Sequence, residues 1–290
     1  MTVDRVALRA AEPPGPTRHG GDAGAERRER RVVCRPVNVP RPRAFEDAAQ
    51  PEETERLDGW VIRDRVPEPF RDATVGHHVG ESFVDALAAL HAVDWRAVGL
   101  DDFGRPEGFL ERQVARWTRQ LETYRQRPLP DLEALAGWLA GHRPPGEPAT
   151  IIHGDYHLDN VMFAPSVPPR VIAILDWETA TIGDPLVDLG LATALWSDAG
   201  DERLPLAEGL DVAALGFGSR RELAERYAAR TGRSVAHLPY YQALGLFRLA
   251  CILEGSWARH VHGAADDPAF AALGAGVPAM ARRARALCGA

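Results

Sequence analysis

His153-Gly154-Asp155-Tyr156-His157-Leu158-Asp159-Asn160 is the stretch whose reading decides the fold, together with the apolar runs Val161-Met162-Phe163 and Val171-Ile172-Ala173-Ile174-Leu175 and the Asp176 that follows them. Asp155 stands five residues before Asn160, the H-x-D-x-x-x-x-N spacing of loops that carry out phosphoryl transfer. Between the two runs, Pro165-Ser166-Val167-Pro168-Pro169-Arg170 reads as a turn. Two short strands joined in this way predict a hairpin, which returns the chain to the end it started from. Asp176 is therefore expected beside Asp155 and Asn160. One carboxylate can then accept a hydroxyl proton while a second carboxylate and an amide offer oxygen to a hard cation.

Taken singly, these residues say little, because a loop Asp or Asn is commonly a turn or cap residue. Their combination with a strand before the loop and a hairpin after it is specific. A metal-hydrolase reading would use His153 and His157 with Asp155 and Asp159. No Cys or remote His cluster completes such a set, and Asn160 would stand idle. His153 is expected to pack the loop by hydrogen bonding; His157 has no assigned role.

HGDYHLDN and the later DWETATIGDPLVDLG at 176–190 resemble the aminoglycoside phosphotransferase and choline kinase-like superfamily. HAVDWRAVGLDDFGRPEGFLERQVARW at 91–117 and DWETATIGDP narrow the likeness to the branch related to the kinase-like domain of acyl-CoA dehydrogenase family 10 and 11 proteins. The resemblance runs from about Gly59 to the C-terminus. It implies an α+β, protein kinase-like two-lobed fold, with Asp155 as catalytic base, Asn160 and Asp176 as magnesium ligands, and ATP as phosphoryl donor. Asp188 would brace the loop from the start of the next helix. VALRAAEPPGP resembles the branch's strand before the loop helix, which would put Arg9 where a nucleotide-binding lysine normally sits. Glu29 would match the helix glutamate, and ETERLDGWVIRD resembles the hinge, with Glu55, Arg56 and Leu57 near the adenine.

The 34 basic residues are all arginine, since the chain has no lysine. Arg contacts phosphate well, but its planar fork is not a drop-in replacement for an ammonium. Net charge is −7, so no global field favours nucleic acid. No apolar run approaches membrane-spanning length, and no apolar signal core opens the chain. Cys34, Cys251 and Cys288 are scattered, which implies neither a disulfide framework nor a zinc site. These features predict a cytoplasmic protein without nucleic-acid or membrane partners.

Two regions are expected. Residues 1–58 form a shortened, partly disordered nucleotide-binding lobe: an intact one needs roughly 60–80 residues by typical element and loop lengths. Val6 to Arg9 reads as a strand and Ala25 to Cys34 as a helix, with no Gly-rich phosphate loop before Arg9. Residues 59–290 form a mostly helical lobe carrying the hairpin. Phe83, Leu87 and Leu90 mark a helix ending near His91. Phe109, Leu110, Val114, Trp117, Leu121 and Tyr124 mark a second, bounded by Pro128 and Pro130. Leu132, Leu135 and Leu139 mark a third. Thr150-Ile151-Ile152 is a strand feeding the loop, and further helices are expected at 186–195, 221–230, 239–262 and 269–287. Arg259-His260-Val261-His262 reads as a basic helix end, and Arg112 as a solvated position that could alternatively meet an anionic substrate group.

The leading function is transfer of the γ-phosphate of Mg-ATP to a hydroxyl of a small molecule. The alternative is a catalytically impaired relative that binds a small ligand or partner, prompted by the short N-terminal region. An aminoglycoside, a choline-like alcohol and a hydroxyacyl thioester are all compatible acceptors.

Overall fold

The computed structural model describes residues 57–63, 65–201, 210, 212, 214–264 and 269–290. The helices follow from apolar spacing and from their caps. Ala73–His91 (α1) starts where Asp72 accepts the Thr74 N–H at 2.8 Å. Phe109–Glu122 (α2) is followed by Pro130–Gly141 (α3), in which Pro130 opens the helix instead of merely bounding the one before it. Leu186–Leu195 (α4), Arg220–Thr231 (α5), Leu238–Val261 (α6) and Ala269–Cys288 (α7) complete the helical set. Helix α5 carries a reciprocal Ser219–Glu222 capping box and stops at Gly232, whose φ of 71° is left-handed.

Two small sheets lie among the helices. Trp60–Val61 (β1), Val161–Phe163 (β3) and Val171–Ile174 (β4) form an antiparallel sheet in the order β1-β3-β4. Val161 faces Ile174 and Met162 faces Ala173; an irregularity then shifts the register so that Phe163 faces Val171. This is the expected hairpin. Its two faces go to different places: Val161, Phe163 and Ile174 join the main core, whereas Met162, Ala173 and Leu175 form a separate patch with Leu57, Val61 and Ile172. Thr150–Ile152 (β2) pairs antiparallel with Thr181–Gly183 (β5), which was not foreseen.

The main core is one cluster running from Ile62 to Ala284, with α6 at its centre packed on α4 and α7. Helices α4 and α6 meet at glycines. A Cβ on Gly190 would stand 2.5 Å from the Tyr241 backbone, and one on Gly245 would stand 2.9 Å from the Leu191 Cα. Arg259 and His260 occupy the last turn of α6. Among the described residues no helix is long and apolar enough to cross a membrane.

Candidate active site

Strand β2 delivers the chain into the 153–160 loop, and α4 holds the loop in place. The buried Asp188 carboxylate accepts the backbone N–H groups of His153 and Gly154, each at 2.7 Å. Its Oδ2 also lies 3.2 Å from His91 Nε2, and His91 Nδ1 lies 2.7 Å from the Tyr227 hydroxyl. Loop, α1, α4 and α5 thus share one buried polar network. Gly154 has φ +80°, and a Cβ there would come within 2.5 Å of the Thr179 carbonyl oxygen, so only glycine fits.

His153 is fully buried, and both of its ring nitrogens are engaged. Nε2 lies 2.8 Å from the Leu175 carbonyl and Nδ1 accepts the Asp155 N–H at 3.2 Å. A carbonyl can only accept, so Nε2 carries the proton and the ring is neutral. Burial agrees, pushing its pKa below the ordinary histidine value against the raising effect of Asp188. Neither nitrogen is left to bind a metal, which removes the hydrolase arrangement. Among the described residues no group of three or more His, Cys, Asp or Glu side chains is placed to hold an ion.

Asp155 and Asn160 are in contact, and the backbone brings Asp176 alongside Asn160. Asn160 Nδ2 lies 3.0 Å from the Asp155 carbonyl and 3.3 Å from its Oδ2. The Asn160 carbonyl accepts the Leu175 N–H at 2.8 Å, which sets Asp176 one residue beyond a direct cross-strand bond. Asp176 adopts a left-handed backbone (φ 67°, ψ 63°), and its Oδ1 is buried without a hydrogen-bond partner among the described residues. A buried carboxylate oxygen left unpaired is costly unless a cation meets it. The donor set, one carboxylate and one amide oxygen, suits magnesium, which takes few protein ligands and fills its sphere with water and phosphate oxygens.

Two basic groups flank the trio. His157 Nε2 lies 3.3 Å from Asp155 Oδ2 and 3.2 Å from Asn160 Nδ2. Burial lowers the His157 pKa, but the bond to Asp155 and the charges of Asp155, Asp159 and Asp176 outweigh it and the net shift is upward. Burial likewise raises Asp155, while His157 and Arg248 outweigh it and hold its carboxyl below the ordinary range. From α6, the buried Arg248 donates through one terminal nitrogen to the Gly154 carbonyl and lies 5.3 Å from the centre of the Trp117 ring.

Of the remaining sequence expectations, Arg9, Glu29 and Glu55 lie outside the described residues. Leu57 packs with Met162 and Leu175 in the apolar patch on the sheet face away from the main core. Arg112 turns back on its own segment and donates to the carbonyls of Arg105 and Glu107, while still lining the cavity beside the loop. His91, Tyr227 and Arg248 were missed. A lone Arg inside LGLFRLACI, and a His in register with Leu87 on an apolar helix face, were the available signals.

The family model for the phosphotransferase enzyme family matches residues 5–232. The chain belongs to that family. This phosphotransferase-family chain is 34% identical to mouse acyl-CoA dehydrogenase family member 10 over 62% of its own length, and 36% identical to chicken acyl-CoA dehydrogenase family member 11 over 63%. These matches span only 17% and 24% of the two relatives. Among solved structures, a Ralstonia eutropha protein named for aminoglycoside phosphotransfer superposes with a TM-score of 0.70 at 33% identity, over 80% of this chain and 71% of that one. The mostly helical α+β architecture is therefore a kinase-like fold.

Proposed function

We propose that the protein transfers the γ-phosphate of Mg-ATP to a hydroxyl group of a small molecule. The observations that carry this reading are the Asn160–Asp155 contact, the Leu175–Asn160 backbone bond that brings Asp176 alongside, and an Asp176 carboxylate oxygen buried without a hydrogen-bond partner among the described residues. Bound Mg-ATP would supply the phosphoryl group and the charge neutralisation that a loose transition state needs. Asn160 and Asp176 are the residues to hold the metal through oxygen. Asp155 would accept a hydrogen bond from the acceptor hydroxyl and take its proton as transfer proceeds. Because Asp155 is held ionised, its main service is to orient the alcohol oxygen, not to act as a strong base. His153 and Asp188 keep the loop in the conformation that presents it.

The test is an isosteric and a truncating change at Asp155, assayed with Mg-ATP and a panel of hydroxyl compounds. Asp155→Asn and Asp155→Ala should each lower turnover by about 100-fold or more, the typical weight of a positioned proton acceptor, with nucleotide affinity retained. Parental turnover in either variant removes Asp155 from the role. No Mg-ATP binding by the full chain at millimolar nucleotide would favour the non-catalytic reading instead.

A further inference from the structure

A cavity of about 940 Å³ opens against the loop, walled by Gly154, by Glu178 and Thr179 from the turn after Asp176, and by one side of α2. Its charge is unlike that of the chain. Arg105, Arg112, Arg116, Arg119 and Arg248 line it, in a protein whose net charge is −7. Among the described residues only two acidic side chains, Glu111 and Glu178, share the wall, and Glu111 lies 3.7 Å from Arg143 in an ion pair of its own. Arg248 is 9% exposed and contributes its charge to the wall next to Gly154, whose carbonyl it meets. Arg116 and Arg119 are exposed on α2, one turn apart, at the mouth of the same cavity. Low-dielectric walls of one sign concentrate the opposite charge, and the planar fork of Arg matches carboxylate and phosphate oxygens.

From this arrangement we infer that the acceptor is an anionic hydroxy compound, bearing a carboxylate or a phosphate bound by the arginine-lined cavity while its hydroxyl reaches Asp155. The inference rests on the phosphotransferase reading for the hydroxyl, and on the cavity alone for the anion. It disfavours cationic acceptors of the aminoglycoside or choline kind, which the acidic net charge by itself would have allowed. Trp117, one of seven tryptophans, lines the cavity and lies close to Arg248, so the part of the fluorescence response that Trp117→Phe removes reports occupancy.

The experiment uses the full chain and matched probes: hydroxybutyrate against butanediol, glycerol phosphate against glycerol, and choline. Binding is followed by tryptophan fluorescence without nucleotide, and transfer by ADP release with Mg-ATP. The expected result is at least tenfold tighter binding of one anionic probe than of its neutral partner, weakening as salt rises. Hydroxybutyrate alone responding assigns the site to carboxylates, and glycerol phosphate alone to phosphates. The Arg116→Gln, Arg119→Gln double variant should lose that preference while its Mg-ATP affinity stays at the parental value. Equal binding of neutral and anionic probes, preference for choline, no binding of any probe at millimolar concentration, or an unchanged preference in the double variant would each overturn the inference. Anion binding that depends on the two arginines but is never accompanied by phosphate transfer would sink the phosphotransferase reading and leave the anion site standing.

Discussion

Asp176 shows how a single residue can be held against its own preference. A left-handed backbone is uncommon for residues with a Cβ, though Asp tolerates it better than most, and here it coincides with a carboxylate oxygen buried without a partner among the described residues. Both features cost stability in the metal-free protein. Asp176→Gly removes both, and the glycine tolerates φ 67° freely. The variant should gain about 1 kcal/mol in stability despite the added chain entropy of glycine, while losing metal-dependent nucleotide binding and transfer. Thermal unfolding and a nucleotide titration with and without magnesium check the two halves. A variant that melts lower than the parent would mean that the strained geometry is sustained by contacts worth more than the strain.

At the scale of elements, packing and charge make distinct demands. Gly190 on α4 has no room for a methyl group against Tyr241, whereas at Gly137, exposed within α3, an ideal Cβ would meet nothing beyond its own helix within 4 Å among the described residues. Gly190→Ala should cost about 1–3 kcal/mol from overpacking, and Gly137→Ala should gain about 0.5–1 kcal/mol from helix propensity. Opposite signs for the same chemical change, read by denaturant unfolding, separate packing from propensity. Helices α1 and α5 are tied by Asp85, which meets Arg226 at 2.7 and 2.8 Å and Arg230 at 2.9 and 2.8 Å. Burial raises the Asp85 pKa, but the two guanidinium groups outweigh it and the folded value is lowered. The folded state therefore binds fewer protons than the unfolded chain between the two values. The stabilisation is fully present above the unfolded value near 3.9 and drains away as pH falls through the folded one. The stability gap between the parent and Asp85→Asn should accordingly be level near neutrality and close on acidification below about pH 4. A gap that does not change with pH would show that the ion pairs contribute nothing.

On the scale of the molecule, the described residues share a core of their own, the cluster from Ile62 to Ala284. A protein beginning at Leu57 should unfold in a single cooperative transition and keep any anion-dependent Trp117 response. Its Mg-ATP affinity should fall at least tenfold if residues 1–56 supply nucleotide contacts. Calorimetry and a nucleotide titration decide this, and unchanged affinity would mean that those residues contribute none.

Local chemistry made much of this chain readable. The Asp155–Asn160 spacing, the turn rich in proline before Val171 and the apolar stripes of α1, α2 and α3 each span few residues, so periodicity and turn preference alone determined the loop, the hairpin and the helical lobe. Partners far apart in the chain were beyond its reach. Arg248 meets a carbonyl 94 positions away, His91 meets Asp188 across 97, and β5 pairs back to β2 around the loop. Which charges are buried, and which arginines gather on one cavity wall, is decided only when distant segments pack, because the cost of desolvating a charge depends on everything that surrounds it.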